Sequence, residues 1–317
     1  MRCLLRRDYD AATLVREHPP KLSSPHKRLV YAMCSGASTT GALTVTRWAA
    51  EPLPATAELA PTELVPLPGH FDYADVHEGV WHVNFADPEL FFAYGSSLLA
   101  QDELQCAEHP VLGSIREALL AEHQPAMTEN DRDGAPTPVL VANVERRCAI
   151  DTAPNAACGR PQGLYGNRFA ATDLELVRGA IHVMRPPTRS NLIAMAAPTG
   201  AGTYTRTQIE HVVTTAYTAF RAAIEESNVP VEVCTGFWGC GAFGGNRQLM
   251  TLLQILAARL AGVARLRFYV FDDAGRANFD AGLRGLDGVL RTSDEPLPQV
   301  LDRIADLDYR WGASDGN

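Results

Sequence analysis

The stretch that most constrains this chain is Thr235-Gly236-Phe237-Trp238-Gly239-Cys240-Gly241-Ala242-Phe243-Gly244-Gly245. Before it lies Val231-Glu232-Val233-Cys234, a short run rich in β-branched residues that reads as a buried strand. After it, Leu249, Leu252, Leu253, Ile255, Leu256 and Leu260 recur at helical spacing, and Asn246 stands where an N-cap belongs. The unit is a strand, a glycine-rich loop and a helix start. Glycine lets the backbone come close to a ligand and takes positive φ without steric penalty. Unpaired N–H groups at such a loop favour an anion, a phosphate or pyrophosphate above all. A ligand-free turn is the plainer alternative. Five glycines interleaved with Phe237, Trp238 and Phe243 exceed what a turn needs.

Two readings of the loop compete. Gly239-Cys240-Gly241-Ala242-Phe243-Gly244 fits G-x-G-x-x-G, and Asp272 closes the next expected strand, Leu266 to Phe271. This mimics a dinucleotide-binding unit and leaves an NAD-dependent oxidoreductase open. Little chain follows to complete a doubly wound half, and the acidic residue falls later than the usual spacing of about 20 residues.

Composition narrows the class. The chain has 317 residues, 46% hydrophobic and 21% charged, which describes an ordinary globular protein. Its formal charge of −9 makes it a poor general binder of nucleic-acid backbone. No uncharged run approaches a membrane span, and the first residues, Met1-Arg2-Cys3-Leu4-Leu5-Arg6-Arg7-Asp8, lack the apolar core of a signal peptide. Seven scattered cysteines without a C-x-x-C argue against a disulfide framework or structural zinc, and fit a reducing cytoplasm. The histidines are too dispersed for metal-ligand spacing, so no metal and no cofactor are expected.

Along the chain, residues 1–70 read as an accessory region packing beside a main domain. Within it Leu29 to Cys34 reads as a strand, 35–41 as a loop, and 51–68, rich in Pro, Ala and Glu, as an irregular linker. Residues 77–85 alternate as a strand, and Val139-Leu140-Val141-Ala142 and 191–197 read as buried strands. Residues 205–227 form a long helix with Ile209, Val212, Val213, Ala216, Tyr217, Phe220 and Ile224 on one face, capped by Thr207. A further helix is expected from about 274 to 290. The segment 293–317 holds a last helix through Val300, Leu301, Ile304 and Leu307, with 312–317 frayed. Strands alternate with helices through 71–292, which sets the class as layered α/β.

The residues also carry a resemblance. The loop, followed by Gln248-Leu249 and Leu252-Leu253-Gln254-Ile255-Leu256-Ala257-Ala258, is similar to the poly(ADP-ribose) glycohydrolase family, whose loop reads T-G-N-W-G-C-G-A-F-G-G-D before a helix with L-I-Q-x-L-A-A. Arg267-Phe268-Tyr269-Val270-Phe271-Asp272 resembles its Y-F-T-F-G-D, and Val83-Asn84-Phe85-Ala86-Asp87 its V-D-F-A-N. Gln101-Asp102-Glu103-Leu104 resembles the family's catalytic Q-E-E-I, and His109-Pro110-Val111-Leu112 its N-P-x-L. Gly163-Leu164-Tyr165-Gly166 is a looser match to a T-G-Y loop whose tyrosine lies over the substrate; an ordinary surface loop is the alternative. The resemblance implies a macrodomain-like three-layer α/β/α core with a mixed sheet. It implies Glu103 as the proton-handling carboxylate and Asp102 as its partner on the ribose hydroxyls. Asn84, Asp87, Gln101, Tyr165, Phe237, Gly239, Gly241, Ala242, Phe243, Gly244 and Phe271 would contact substrate.

The chain departs from the family in several places. Where the family has G-G-G-V-L-G-G-G, this chain has Phe91-Phe92-Ala93-Tyr94-Gly95-Ser96-Ser97-Leu98, so one glycine survives and aromatics replace bare backbone. Phe237 replaces the loop's Asn, Asn246 its closing Asp, and Asn84 and Asp87 exchange the family's Asp and Asn. The chemistry has its own logic. Cleavage at a ribose anomeric carbon passes through an oxocarbenium-like state and needs an acid, then a base. A carboxyl raised by burial and by a second carboxylate can serve as both, although adjacent acids are also a common solvated helix start. The resemblance thus points to a hydrolase of an O-glycosidic ribose bond acting on poly(ADP-ribose), ADP-ribosylated protein or a small ADP-riboside. A reader that binds ADP-ribose without cutting, or a redirected enzyme for smaller ADP-ribosides, is the alternative.

Overall fold

The computed structural model describes residues 1–35, 39–71, 73, 77–292 and 294–316. The elements of the first part are β1 (Cys3–Asp10), α1 (Ala11–Glu17), α2 (Pro25–Cys34), β2 (Ala42–Trp48), β3 (Glu63–Pro68), β4 (Val80–Ala86), α3 (Gln101–Glu108) and α4 (Val111–Ala121). The second part holds β5 (Val139–Ile150), α5 (Arg168–Ala171), α6 (Leu174–Arg178), β6 (Ile181–Ala196), α7 (Arg206–Glu225), β7 (Glu232–Thr235), α8 (Arg247–Ala261), β8 (Arg265–Phe271), α9 (Asp273–Val289) and α10 (Leu297–Ala305).

Among the described residues, eight strands form one mixed sheet in the order β1-β2-β5-β6-β4-β7-β8-β3. Pairing is antiparallel from β1 to β6 and parallel from β6 through β4, β7 and β8 to β3. The period-2 alternation of strand side chains builds a core on each face. Along β5, Leu140 joins one core while Val139 and Val141 join the other; along β6, Ile193 and Met195 face the first and Leu192 and Ala194 the second. Helices α7, α8, α9 and α10 cover the first face, and α1 and α4 the second. This is a macrodomain-like three-layer α/β/α fold with a mixed sheet.

Several local expectations change. Leu29 to Cys34 is helical, because Ser24 caps the preceding turn, its side chain accepting from the Lys27 N–H, and Pro25 sits at the first helical position. The supposed linker 51–68 contains β3, a strand despite Pro66 and Pro68. It pairs with β8 alone, and an edge tolerates the missing N–H groups. Thr205, not Thr207, caps α7, in a reciprocal box with Gln208 (2.9 and 3.2 Å). Three strands of the sheet thus come from residues 1–70. Of the loop expected over 35–41, residues 36–38 lie outside the described residues, as do 293 and 317 of the C-terminal segment. Among the described residues, no helix is long and apolar enough to cross a membrane.

Candidate active site

Four mutually parallel strands, β6, β4, β7 and β8, end on the same side of the sheet. A cavity of about 560 Å³ lies at those ends, walled by Ala86 and Asp87 at the end of β4, Ala197 after β6, Phe237 and Trp238 after β7, and Phe271 and Asp272 at the end of β8. Carboxyl ends of parallel strands are where α/β sheets hold ligands, since the loops that follow can diverge while the strands fix their roots.

The glycine loop forms one wall. Asn246 caps α8, its Oδ1 accepting from the N–H groups of Gln248 and Leu249 (both 3.1 Å). From α8, Gln254 reaches back: its Nε2 donates to the Gly236 carbonyl (3.0 Å), and the Thr235 hydroxyl donates to its Oε1 (2.6 Å). Trp238 is wholly buried, its indole N–H on the Met195 carbonyl (3.0 Å). Gly239 has φ +72°, and a Cβ there would lie 2.5 Å from the Cβ of Ala197, so only glycine fits where the loop crosses the end of β6. Phe237 is buried rather than open. It packs edge-on against Phe268 at 5.2 Å, with the Arg247 guanidinium 5.0 Å from its ring.

The carboxylate pair also lines the cavity, from the first turn of α3. Gln101 anchors that turn to β4, its Oε1 accepting from the Phe85 N–H (2.7 Å) and its Nε2 donating to the Val83 carbonyl (3.0 Å). Asp102 is 6% and Glu103 5% exposed. Asp102 Oδ1 accepts from Asn84 Nδ2 (2.9 Å), and Glu103 Oε2 from the Ala100 N–H (3.0 Å). Burial, then the charge of Glu103, pushes Asp102 up to about 7. Burial also raises Glu103, opposed by the ammonium of Lys27 and by the Ala100 N–H. Such a pair holds a proton near neutral pH, the condition for general acid work.

Eleven residues marked from sequence meet at this cavity: Asp87, Gln101, Asp102, Glu103, Tyr165, Phe237, Gly239, Gly241, Ala242, Phe243 and Phe271. Tyr165 arrives on a loop tied to the segment before α3 by paired backbone bonds between Leu99 and Gly166. Burial, then the charge of Asp315, raises its hydroxyl to about 12, opposed by the nearby Gln101 backbone. Asn84 is fully buried behind Asp102 and does not line the cavity. Gly244 is turned away, with its carbonyl accepting from the Gly312 N–H (2.7 Å). That bond, the Asn167 side chain donating to the Gly316 carbonyl (2.9 Å) and the Trp311 ring stacked at 4.0 Å on Tyr204 dock the C-terminal segment expected to fray, and Asp315 joins the wall.

His70, Phe92, Leu98, Arg247, Asp272 and Asp315 also line the cavity, and sequence reasoning marked none of them as a contact. Arg247 follows the glycine loop directly, which is the signal that could have marked it. Asp272, the acidic residue of the dinucleotide reading, caps α9 by accepting from the Gly275 N–H (2.8 Å).

Residues 182–278 match the model of a family described as poly(ADP-ribose) glycohydrolase, macrodomain fold. The matched segment runs through most of β6, α7, β7, the glycine loop, α8 and β8. Solved structures similar to the chain include a poly(ADP-ribose) glycohydrolase from Thermomonospora curvata, at 17% identity over 86% of this chain and 97% of that one, TM-score 0.49. Another from Deinococcus radiodurans, in complex with ADP-ribose, shares 12% identity over 89% of this chain and 94% of that one, TM-score 0.44.

Proposed function

We propose that this chain is a member of the poly(ADP-ribose) glycohydrolase family, binds ADP-ribose in the cavity and hydrolyses an O-glycosidic bond of its ribose by carboxylate acid/base catalysis. The observation that carries the reading is a pair of buried carboxyls, both raised by burial, lining one cavity with the glycine loop. The N–H groups of 239–245 and the guanidinium of Arg247 supply the positive field for the diphosphate. Phe243 borders the distal ribose, and Asp102, held by Asn84, meets the ribose hydroxyls. Glu103 gives its proton to the departing glycosidic oxygen as the bond to the anomeric carbon breaks. An oxocarbenium-like centre forms, and the Glu103 carboxylate then takes a proton from the water that adds to it. Proton, leaving group and water thus balance, with Glu103 restored.

The substrate follows from the mouth. Phe92 stands 60% exposed on the cavity wall, its ring 5.6 Å from the Arg116 guanidinium. A flat apolar wall beside the reacting carbon favours a compact leaving group over a continuing polymer, so a small ADP-riboside or a mono-ADP-ribosylated protein is the preferred substrate. The free cysteines suit a reducing cytoplasm. The test is calorimetry with ADP-ribose beside rate measurements on polymer, mono-ADP-ribosylated protein and small ADP-ribosides. Binding with faster turnover of the small substrates is expected. No heat of binding at millimolar ADP-ribose would end the reading, and binding without hydrolysis of any of them would leave a reader.

A further inference from the structure

Lys27 lies on the first turn of α2, in the stretch read from sequence as an accessory region, and is 2% exposed. Its Nζ donates to the carbonyl of Tyr94 (3.1 Å) and to that of Glu103 (3.4 Å). The segment leading into α2 grips the same loop. The Ser23 and Ser24 N–H groups and the Ser23 hydroxyl all donate to the Gly95 carbonyl (3.0, 3.0 and 2.9 Å), and the Lys21 N–H donates to the Tyr94 hydroxyl (2.6 Å). A Cβ on Gly95 would strike the Lys21 carbonyl oxygen. The surviving glycine of this loop is therefore required by the N-terminal segment.

We infer that Lys27 is a positioning and charge-setting residue for the Asp102–Glu103 pair, brought into the catalytic centre by the segment 20–34. The inference rests on the glycohydrolase reading of that pair. A buried ammonium bonded only to carbonyls keeps its full charge, which is costly without a nearby counter-charge. The carboxylates supply it. With Lys27 charged and one carboxyl ionised, the buried trio is neutral. The second carboxyl keeps its proton, which is what an acid catalyst must carry at neutral pH. Without the ammonium, the neutral arrangement holds two protons on the pair, and ionisation of the first carboxyl moves to higher pH. Burial lowers Lys27 to about 8, and the charges of Glu103, Cys106 and Asp102 oppose that fall. Cys106 on α3, Asp87 beyond β4 and Tyr165 on its loop also act on the pair, and His70, Arg247, Asp272 and Asp315 line the same cavity. Among the described residues, Lys27 is a cation whose charge acts on both carboxyls.

Two substitutions separate charge from stitching. Lys27→Met removes charge and donor, whereas Lys27→Gln keeps a donor for the carbonyls and removes only the charge. Carboxyl ¹³C NMR titration of the folded variants reads the pair without requiring activity. In both variants the pair's midpoints are expected to move to higher pH by roughly one unit or more, the size of a close opposite charge. The acid limb of the rate profile should move the same way. Midpoints equal to wild type in both variants, or a shift in Lys27→Met that Lys27→Gln reverses, would overturn the inference. Should neither variant fold, the coupling is read from the other side: Glu103→Gln lowers the Lys27 titration midpoint if the two charges interact, and leaves it in place if they do not. A wild-type chain that cuts no ADP-riboside would sink the glycohydrolase reading while the titrations still decide the coupling.

Discussion

The loop 239–245 and the loop 91–95 flank the same cavity and solve one problem in opposite ways. In the first, glycines remove side chains altogether, and Gln254 and Asn246 hold the bare backbone from behind. In the second, the side chains are present but turned aside. Phe91 is wholly buried and Tyr94 nearly so, both within the core on the α4 face, and the Tyr94 hydroxyl donates to Glu117 (2.8 Å). Of the three aromatics, Phe92 lines the cavity, beside Ala93. Phe91 has φ +52°, so the backbone keeps a left-handed conformation that suits glycine, at a cost of about 1–2 kcal/mol for an L-residue. Counting glycines therefore misjudges this loop. Of the aromatics that replace bare backbone here, two of the three are buried in the core, and the selectivity of the loop falls to Phe92.

The largest effect tests whether the acid wall between these loops does the chemistry. Glu103→Gln keeps shape and loses the proton, so turnover should fall by about 10²–10⁴ while ADP-ribose affinity is kept, and Asp102→Asn should cost less. Equal turnover in wild type and Glu103→Gln would place the acid elsewhere.

A glycine in each loop then sharpens the contrast. A Cβ on Gly241 meets only the Asp315 carboxylate, at 3.2 Å, so Gly241→Ala should fold normally. Its methyl projects where the diphosphate is proposed to lie, and one misplaced methyl in a shaped pocket costs about 1–3 kcal/mol, or roughly ten- to 200-fold in affinity. Gly95→Ala drives a methyl into backbone, and such overpacking destabilises by about 1–3 kcal/mol, seen as a Tm several degrees lower without ligand. Thermal scans and calorimetry on both variants should show affinity lost in one and stability in the other. The same pattern in both would mean that the loops do not differ as described.

What the sequence revealed follows from what each signal encodes. The glycine loop, the Asn246 cap and the periodicity of α8 are local, and each residue's role depends on its immediate neighbours. The spacing of Gln101, Asp102 and Glu103 after β4 was also readable, because strand, turn and helix start are contiguous. Lys27 and Asp315 were not readable. Each reaches the site through tertiary packing across long stretches of chain, and neither sits in a local pattern unlike any surface Lys or Asp. Leu29 to Cys34 misled because a short apolar run does not distinguish strand from helix, whereas Ser24-Pro25 upstream did. The sequence of the 91–95 loop shows its aromatics but not their directions, which depend on α4 and the segment 20–24.

The smallest effect concerns Phe92, whose exposure means that Phe92→Ala should leave Tm unchanged within a degree or so, since surface substitutions usually cost at most about 0.5 kcal/mol. If the ring is a platform for the group leaving from ribose, its loss removes a contact worth about 0.5–1.5 kcal/mol with a planar leaving group, or roughly two- to tenfold in kcat/KM. Space opened at the mouth should meanwhile raise the rate on polymer, whose next unit no longer meets the ring. The ratio of the two rates is therefore more telling than either alone, because a general loss of activity lowers both together. Measured side by side on polymer and on a small ADP-riboside with a planar leaving group, the ratio should swing toward polymer in Phe92→Ala. An unchanged ratio would show that Phe92 is no more selective than bare backbone. The two loops would then be equivalent toward the ligand despite their different sequences.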